Sequence, residues 1–539
     1  MISIGKKKVA YFCMEFGLHE SFHIYSGGLG ILAGDIIKAA KDLKVPMVGV
    51  GILWRQGYTR QFIDENGKPY DCYHEFKYDF LKDTGKTVQV IVRGRPIKLK
   101  IWKCDNFGNV PLYLLDANLP ENADRLITGQ LYGWFSEERV AQEIILSIGG
   151  VKALRALGFK PDIYHFNDSH PVLAGTELIR EKMDKGMGFD QAFEQTKKQI
   201  VFTTHTPVVA GNEVHEHELL QYCGAYNGLT RGQMIKLGGE PFSMTVAGIR
   251  ISKKANGVAQ LHGETARKMW GHVEGGDKIL SITNGVHNGT WQDKSIVAAV
   301  KKGGEGLWDA HMTLKRELIA EVEKRNGIKL DEDVLTIGFG RRAAPYKRSD
   351  LIFRKKAVIE ALLKNKKLQI IFAGKAHPND LGGKEIIANI YKMSQKYPGS
   401  IVFLQNYDMK IGKLLTRGCD IWLNNPIRPM EASGTSGMKA AMNGVLNLSV
   451  LDGWWPEGCK HGVTGWQIGD GYEGKDADKV DSESLYKVLQ KEVIPMFYGD
   501  NKRWVEMMQA SIKMSTDQFS AARMVKEYYS QMYTDKKSK

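Results

Sequence analysis

The sequence predicts an α/β protein built as two doubly wound parallel-sheet lobes, and three observations carry that expectation. The chain has 539 residues, 43% of them apolar, which is enough for two large cores and too long for one ordinary domain. Short apolar runs of strand composition alternate with amphipathic stretches of helical spacing. The alternation restarts from about residue 286, so the lobe boundary is expected near Thr283 to His287.

Each element follows from its local pattern. KVAYFCME is a short apolar run, SGGLG follows it, ILAGDIIKAAKDLK has helical spacing and VPMVGVGIL returns to strand composition, which together make a βαβ unit. A helix is expected over Glu138 to Leu157, a strand over Asp162 to Asn167, a helix after His170 and a strand over Gln199 to Thr204. In the second half VLTIGF, LQIIFAG, SIVFLQN, DIWLNN and VLNLSV read as strands, with helical segments such as KEIIANIYKMSQKY between them. The expected division is a first lobe over 1–285, a second over 286–517, and a C-terminal helix with a basic tail over 518–539. That last segment either completes the second lobe or crosses back to the first, and its final KKSK is expected to be disordered.

Composition narrows the function classes. There is no window of about 18 uninterrupted apolar residues and no cleavable leader pattern in MISIGKKKVAYFCMEF, so a soluble, cytoplasmic protein without membrane partners is expected. Six cysteines, without CxxC spacing, read as reduced and mostly buried thiols and not as a zinc site or disulfide framework. The net charge of +14 favours anionic ligands by steering, but the basic residues are dispersed over the chain, which argues against nucleic acid. Neither a GxSxG elbow nor an HExxH pattern is present, which disfavours serine hydrolases and metallohydrolases.

In open parallel sheets ligands collect at the carboxyl ends of strands, where helix N-termini offer free N–H groups. Six segments are candidates there. EASGTSGMKAAMNG, Glu431 to Gly444, follows the strand DIWLNN; Thr435 reads as the N-cap of a helix ending at Gly444, with Lys439 one turn inside. A sheltered lysine there suits a Schiff base with pyridoxal phosphate, although on spacing alone a solvated lysine competes. GRRAAPYKR sets Arg341, Arg342, Lys347 and Arg348 just beyond VLTIGF, a phosphate clamp or a basic solvated loop. Ser26-Gly27-Gly28-Leu29-Gly30 lies between a strand and a helix and reads as an anion loop or a tight turn. His205, after QIVFTT, and Asn167-Asp168-Ser169-His170-Pro171, which ends the preceding strand of the same lobe, read as sugar-binding or structural groups, and Thr283-Asn284-Gly285 is also a general turn signal.

Taken together, these segments resemble the α-glucan phosphorylases, the glycogen, starch and maltodextrin enzymes, from Tyr11 to about Gly458. The resemblance implies the B-type glycosyltransferase fold of two Rossmann-like lobes with an active-site cleft between them, the first lobe carrying the glucan and phosphate loop and the second the cofactor. It makes Lys439 the attachment point of pyridoxal 5′-phosphate, with Tyr407 beside its ring and Thr435, Ser436, Arg341 and Gly27 around it. Glu431, Ser433, Gly434, Asn284 and His205 would then bind glucosyl hydroxyls, the main-chain carbonyl of His205 facing the anomeric carbon. Arg342, Lys347 and the backbone at Gly28 would hold substrate phosphate.

Four residues depart from the long members of the family: Gly17 for a cofactor-stacking tyrosine, Arg341 for lysine, Ala344 for histidine and Ser436 for glycine. The chain begins almost at its first sheet and is similar to the short bacterial and archaeal branch, so allosteric control is expected to be absent; a homodimer is compatible with the resemblance. The reaction implied is retaining phosphorolysis of α-1,4-glucan ends to α-D-glucose 1-phosphate. Two alternatives stay open at this point: a nucleotide-sugar glucan synthase of the same fold, and a glucan-binding protein without catalysis.

Overall fold

A computed structural model describes residues 6–132, 136–208 and 211–535; the KKSK tail lies outside them. The chain divides into two compact units, the first of Met1–Tyr58, Tyr73–Thr283 and Ala521–Lys539, the second of Thr59–Cys72 and Asn284–Ser520. Each is a layered α/β body, as the alternation in the sequence requires.

The first unit is built on a nine-stranded sheet in the order Leu280–Ser281, Lys254–Gly257, Ile200–Thr203, Ile163–Asn167, Val9–Phe12, Met47–Ile52, Leu112–Asp116, Arg95–Cys104 and Lys82–Val92. The first seven pair in parallel, and every residue of Val9–Phe12, Met47–Ile52, Ile163–Asn167 and Ile200–Thr203 is buried. That is the signature of strands covered on both faces, and it explains their unbroken apolar runs. Val9–Phe12 has Met47–Ile52 on one side and Ile163–Asn167 on the other, so strand order reverses there and opens a crevice at the carboxyl ends. The helix Gly28–Asp42 begins just past that reversal. The long helix expected over 138–157 is present as Ser136–Ile144 and Gly150–Ala156 joined by a π turn, Ile145–Gly149.

An antiparallel hairpin, Lys82–Val92 with Arg95–Cys104, was not foreseen. Its two-residue turn is Arg93-Gly94, both with positive φ (52° and 73°), the geometry a tight hairpin needs. An Asn-Gly pair would have signalled it; arginine in that place hides it.

The C-terminal residues join this first unit through a buried relay. The Tyr533 hydroxyl lies 2.7 Å from His165 Nδ1, His165 Nε2 lies 2.7 Å from Thr203 Oγ1, and Thr203 donates to Asn256 Oδ1 at 2.7 Å. Because Thr203 spends its proton on Asn256, it accepts from Nε2–H, which leaves Nδ1 to accept from Tyr533. Burial pushes the His165 pKa down to about 3 and keeps the ring neutral. The relay thus ties three adjacent strands to the returning tail.

The second unit has six parallel strands in the order Ile401–Leu404, Gln369–Ala373, Thr336–Gly340, Ile421–Asn424, Leu446–Val450 and Gly465–Ile468. Five match the sequence reading. The sixth, GWQI, was missed because four residues with a central Gln carry little periodicity. Numbered along the chain within this sheet, the order is 3-2-1-4-5-6, that of a Rossmann sheet, and it switches between Thr336–Gly340 and Ile421–Asn424. All six cysteines are free thiols, four buried and two half-buried, in line with the sequence reading.

Tyr533→Phe should lower the unfolding free energy at pH 7 by about 1–3 kcal/mol, since it leaves a buried ring nitrogen without its donor. The His165 ring is neutral when folded but takes a proton near pH 6.5 when unfolded. Its contribution is therefore complete above pH 6.5 and is lost as pH falls toward 3. Urea titrations of the two proteins at pH 7 measure the difference, and coincident curves would remove the relay from the account.

Candidate active site

The switch point of the second sheet decides which residues meet. The chain leaves the strand Thr336–Gly340 directly into Arg341, and leaves Ile421–Asn424 into the loop that reaches Glu431. The Arg341 guanidinium bonds both Asn424 Oδ1 and Glu431 Oε2, and Lys347 Nζ lies 3.2 Å from the same carboxylate oxygen. The side chains of Arg341, Glu431 and Lys347 are only 5%, 9% and 10% exposed, so these charges interact with little screening. Burial alone would raise the Glu431 pKa; Arg341, then Lys347, overcome it and hold the carboxyl at about 2.

The four cations of GRRAAPYKR do not act together. Arg348 turns away, donating to the carbonyls of Asn425 and Pro426 and to Asp478 and Asp481, so it braces the loop after Asn424. Arg342 is exposed and makes no hydrogen bond or ion pair among the described residues. Arg341 and Lys347 meet at Glu431, the residue the resemblance gives to the sugar.

Beyond Glu431, Gly434 takes φ +82° and the helix runs Thr435–Ala441. The N-cap is therefore Gly434 and not Thr435, and the helix stops three residues before Gly444; a left-handed glycine turns the chain without any side-chain cap. The Ser433 carbonyl accepts from Trp454 N at 2.9 Å, while its buried hydroxyl has no hydrogen-bond partner among the described residues. Ser436 Oγ accepts from Trp422 Nε1 at 3.3 Å. Lys439 is buried, with Nζ 3.8 Å from the centroid of the Trp291 ring. Tyr407 is half-buried and packs against Gly340, where a Cβ would come within 3.2 Å of its ring. Asn284 is buried and opens the longer segment of this unit, Asn284–Ser520.

Sequence reasoning missed Asp452. Its carboxylate accepts from Glu431 N at 2.9 Å and Gly453 N at 2.8 Å, and burial pushes its pKa up to about 7. It braces the backbone that carries Glu431. The LDG that follows the strand VLNLSV was the available signal, a carboxylate just past a strand end.

In the first unit the glycine loop is held by Glu15, also missed. Its carboxylate accepts from Ser26 N at 2.6 Å, Gly27 N at 3.1 Å, the Ser26 hydroxyl and, at 2.6 Å, the Tyr132 hydroxyl. The helix then starts at Gly28, which is exposed, with no side-chain cap and no acidic residue in its first turn. Such an end attracts anions. Gly17 is fixed by packing: a Cβ there would meet Ile31 Cδ1 at 2.5 Å, and one on Gly34 would meet the Gly17 carbonyl oxygen at 2.1 Å. A tyrosine at 17 would not fit this helix. His205 Nε2 lies 2.7 Å from Asn167 Oδ1, and burial, then nearby histidines, takes its pKa down to about 3, so a neutral ring donates to Asn167. Asp168, next along, adopts φ +69°, a conformation that non-glycine residues seldom hold outside constrained sites.

Residues 297–457 match the carbohydrate phosphorylase family, and residues 8–262 match the starch synthase catalytic domain. The chain is 39% identical to a maltodextrin phosphorylase of Thermococcus litoralis over 98% of its own length and 71% of that protein. It is 36% identical to a glycogen phosphorylase of Aquifex aeolicus, covering 98% and 86%, and 38% identical to an uncharacterised protein of Methanocaldococcus jannaschii, covering 98% and 100%. With similarity of that extent spanning both units, and with a buried lysine and a cation-flanked glutamate at the second sheet's switch point, the chain belongs to the carbohydrate phosphorylase family.

Proposed function

We propose that the protein is an α-1,4-glucan phosphorylase that transfers the non-reducing glucosyl end of glycogen or maltodextrin to inorganic phosphate, giving α-D-glucose 1-phosphate. The observation that carries the reading is Glu431 locked between Arg341 and Lys347. A carboxyl with a pKa of about 2 is ionised at neutral pH and cannot protonate a leaving oxygen. A glycosidase needs a carboxylic acid with a raised pKa beside a second carboxylate. Asp452 has the raised pKa, but both its oxygens are occupied by backbone N–H groups. Glu431 therefore suits the binding of sugar hydroxyls, together with Ser433, whose buried hydroxyl lacks a partner among the described residues, Gly434, Asn284 and His205.

The residues also fit pyridoxal 5′-phosphate. Lys439 would carry it, sheltered beside Trp291, with Tyr407, Thr435, Ser436, Arg341 and Gly27 assigned around it. When bound, its phosphate group supplies a partner for proton exchange with the substrate phosphate. Arg342 and Lys347 would hold inorganic phosphate by charge-assisted contacts, and the exposed backbone of Gly28 at a helix N-terminus suits an oxyanion. The bound phosphate would donate its proton to the glycosidic oxygen as the bond breaks. The main-chain carbonyl of His205 would stabilise the positive charge at the anomeric carbon, and the phosphate oxygen would attack from the face the glucan leaves, retaining configuration. The Asn167 bond on the far side of the His205 ring would fix that segment. No helix among the described residues is long and apolar enough to cross a membrane. We assign the enzyme to the cytoplasm and leave a homodimer as the assembly to test.

Two outcomes are expected. Borohydride reduction followed by peptide mapping should place a pyridoxyl group on Lys439; label on another lysine, or none, removes the cofactor assignment. Arg342→Ala should leave glucan binding nearly intact while kcat/KM for phosphate drops about 100-fold or more, the size of one lost transition-state contact. Unchanged phosphate kinetics would take Arg342 out of the site.

A further inference from the structure

A second cluster, inside the first unit and apart from the residues assigned to glucan or cofactor, has the composition of a metal site. Glu143 from the helix Ser136–Ile144, Glu213, and His215 from the short strand Val214–His215 bring their ligand atoms within 4.8 Å of one another. Glu143 is fully buried and His215 is 7% exposed. Among the described residues neither Glu143 oxygen has a hydrogen-bond donor, and the same holds for Glu213 Oε2 and His215 Nε2. His215 Nε2 stands 3.2 Å from Glu143 Oε2 without the alignment of a hydrogen bond, and with the ring proton on Nδ1 its lone pair faces the carboxylate oxygens.

Charge reinforces the geometry. Among the described residues the guanidinium paired into the cluster is that of Arg139, whose Nε is committed to Glu213 Oε1 at 2.9 Å, leaving Oε2 without a donor. Two carboxylates against one arginine leave one negative charge more than the guanidinium balances, which is costly in a buried cluster unless a cation or a proton sits between the acceptors. Two metal–ligand bonds of about 2.1 Å span up to about 4.2 Å, so small side-chain rotations would close the set on a single ion.

We propose that Glu143, Glu213 and His215 bind one divalent transition-metal ion, with zinc as the best match to two carboxylates and an imidazole. An imidazole ligand disfavours magnesium and calcium, which prefer oxygen alone. Glu213 is 24% exposed, so water completes the coordination. The ion clamps the helix Ser136–Ile144 to the segment 213–215, which pairs with Phe242–Ser243. The clamp continues toward the glycine loop, because Arg139 lies 4.5 Å over the Tyr132 ring and Tyr132 bonds Glu15. Its role is structural, since none of the three ligands is assigned to the transferred groups.

The test uses the full-length protein stripped with a chelator and then dialysed against zinc or magnesium. One zinc per chain should remain after gel filtration, with the melting temperature raised by several degrees, and magnesium should do neither. Glu143→Gln and His215→Ala should each weaken zinc binding by more than about 100-fold while far-ultraviolet circular dichroism stays native. Should either variant misfold, cobalt(II) added to the stripped wild type reads the site directly through the visible bands of a low-coordinate ion. Substoichiometric zinc without a melting shift, zinc held equally by both folded variants, or cobalt without visible bands would overturn the proposal in favour of a proton shared by the two carboxyls.

Discussion

Glu431 stays ionised below the surface only because Arg341 and Lys347 stand beside it, and those three come together only because a 3-2-1-4-5-6 sheet puts two strand ends at one switch point. Breaking a buried pair by removing one partner typically costs about 3–5 kcal/mol, because the remaining charge keeps its desolvation penalty. The triad carries one net positive charge and so is poised for an anion. Asp452, bonded to Glu431 N, and Arg348, bonded to the carbonyls after Asn424, hold the two loops that deliver it. The site thus rests on backbone bracing as much as on the groups that face a ligand.

The first unit solves a related problem with backbone alone. Its helix begins at an uncapped glycine, and the turn before it is held by one carboxylate, Glu15, that takes two N–H groups and two hydroxyls. Small residues are forced there by close approach, since the Gly17 carbonyl leaves no room for a Cβ on residue 34. The departure at Gly17 from the long phosphorylases is thus a packing fact in this chain.

Much of this was legible in the sequence, for physical reasons. Strands buried on both faces write unbroken apolar runs, so VLTIGF and DIWLNN were readable as strands with candidate groups at their ends, and cations just past a strand end marked Arg341 and Lys347; which strands lie side by side was not. What stayed hidden needed partners distant in sequence. Arg348 reads like its neighbours and is spent on Asp478 and Asp481; Glu15 and Asp452 look like ordinary acids until their backbone partners are known. The Arg93-Gly94 hairpin lacks the usual turn residues, and Thr435 reads as the cap in sequence because left-handed Gly434 leaves no side-chain signal.

The central claim is that phosphate, and not water or a nucleotide sugar, is the co-substrate of a retaining transfer. Incubating maltodextrin with phosphate and following the anomeric protons by NMR tests it most directly. The account predicts α-glucose 1-phosphate as the main product, formed only when phosphate is present. β-Glucose 1-phosphate, mainly free glucose, or turnover that requires a nucleotide sugar would contradict it.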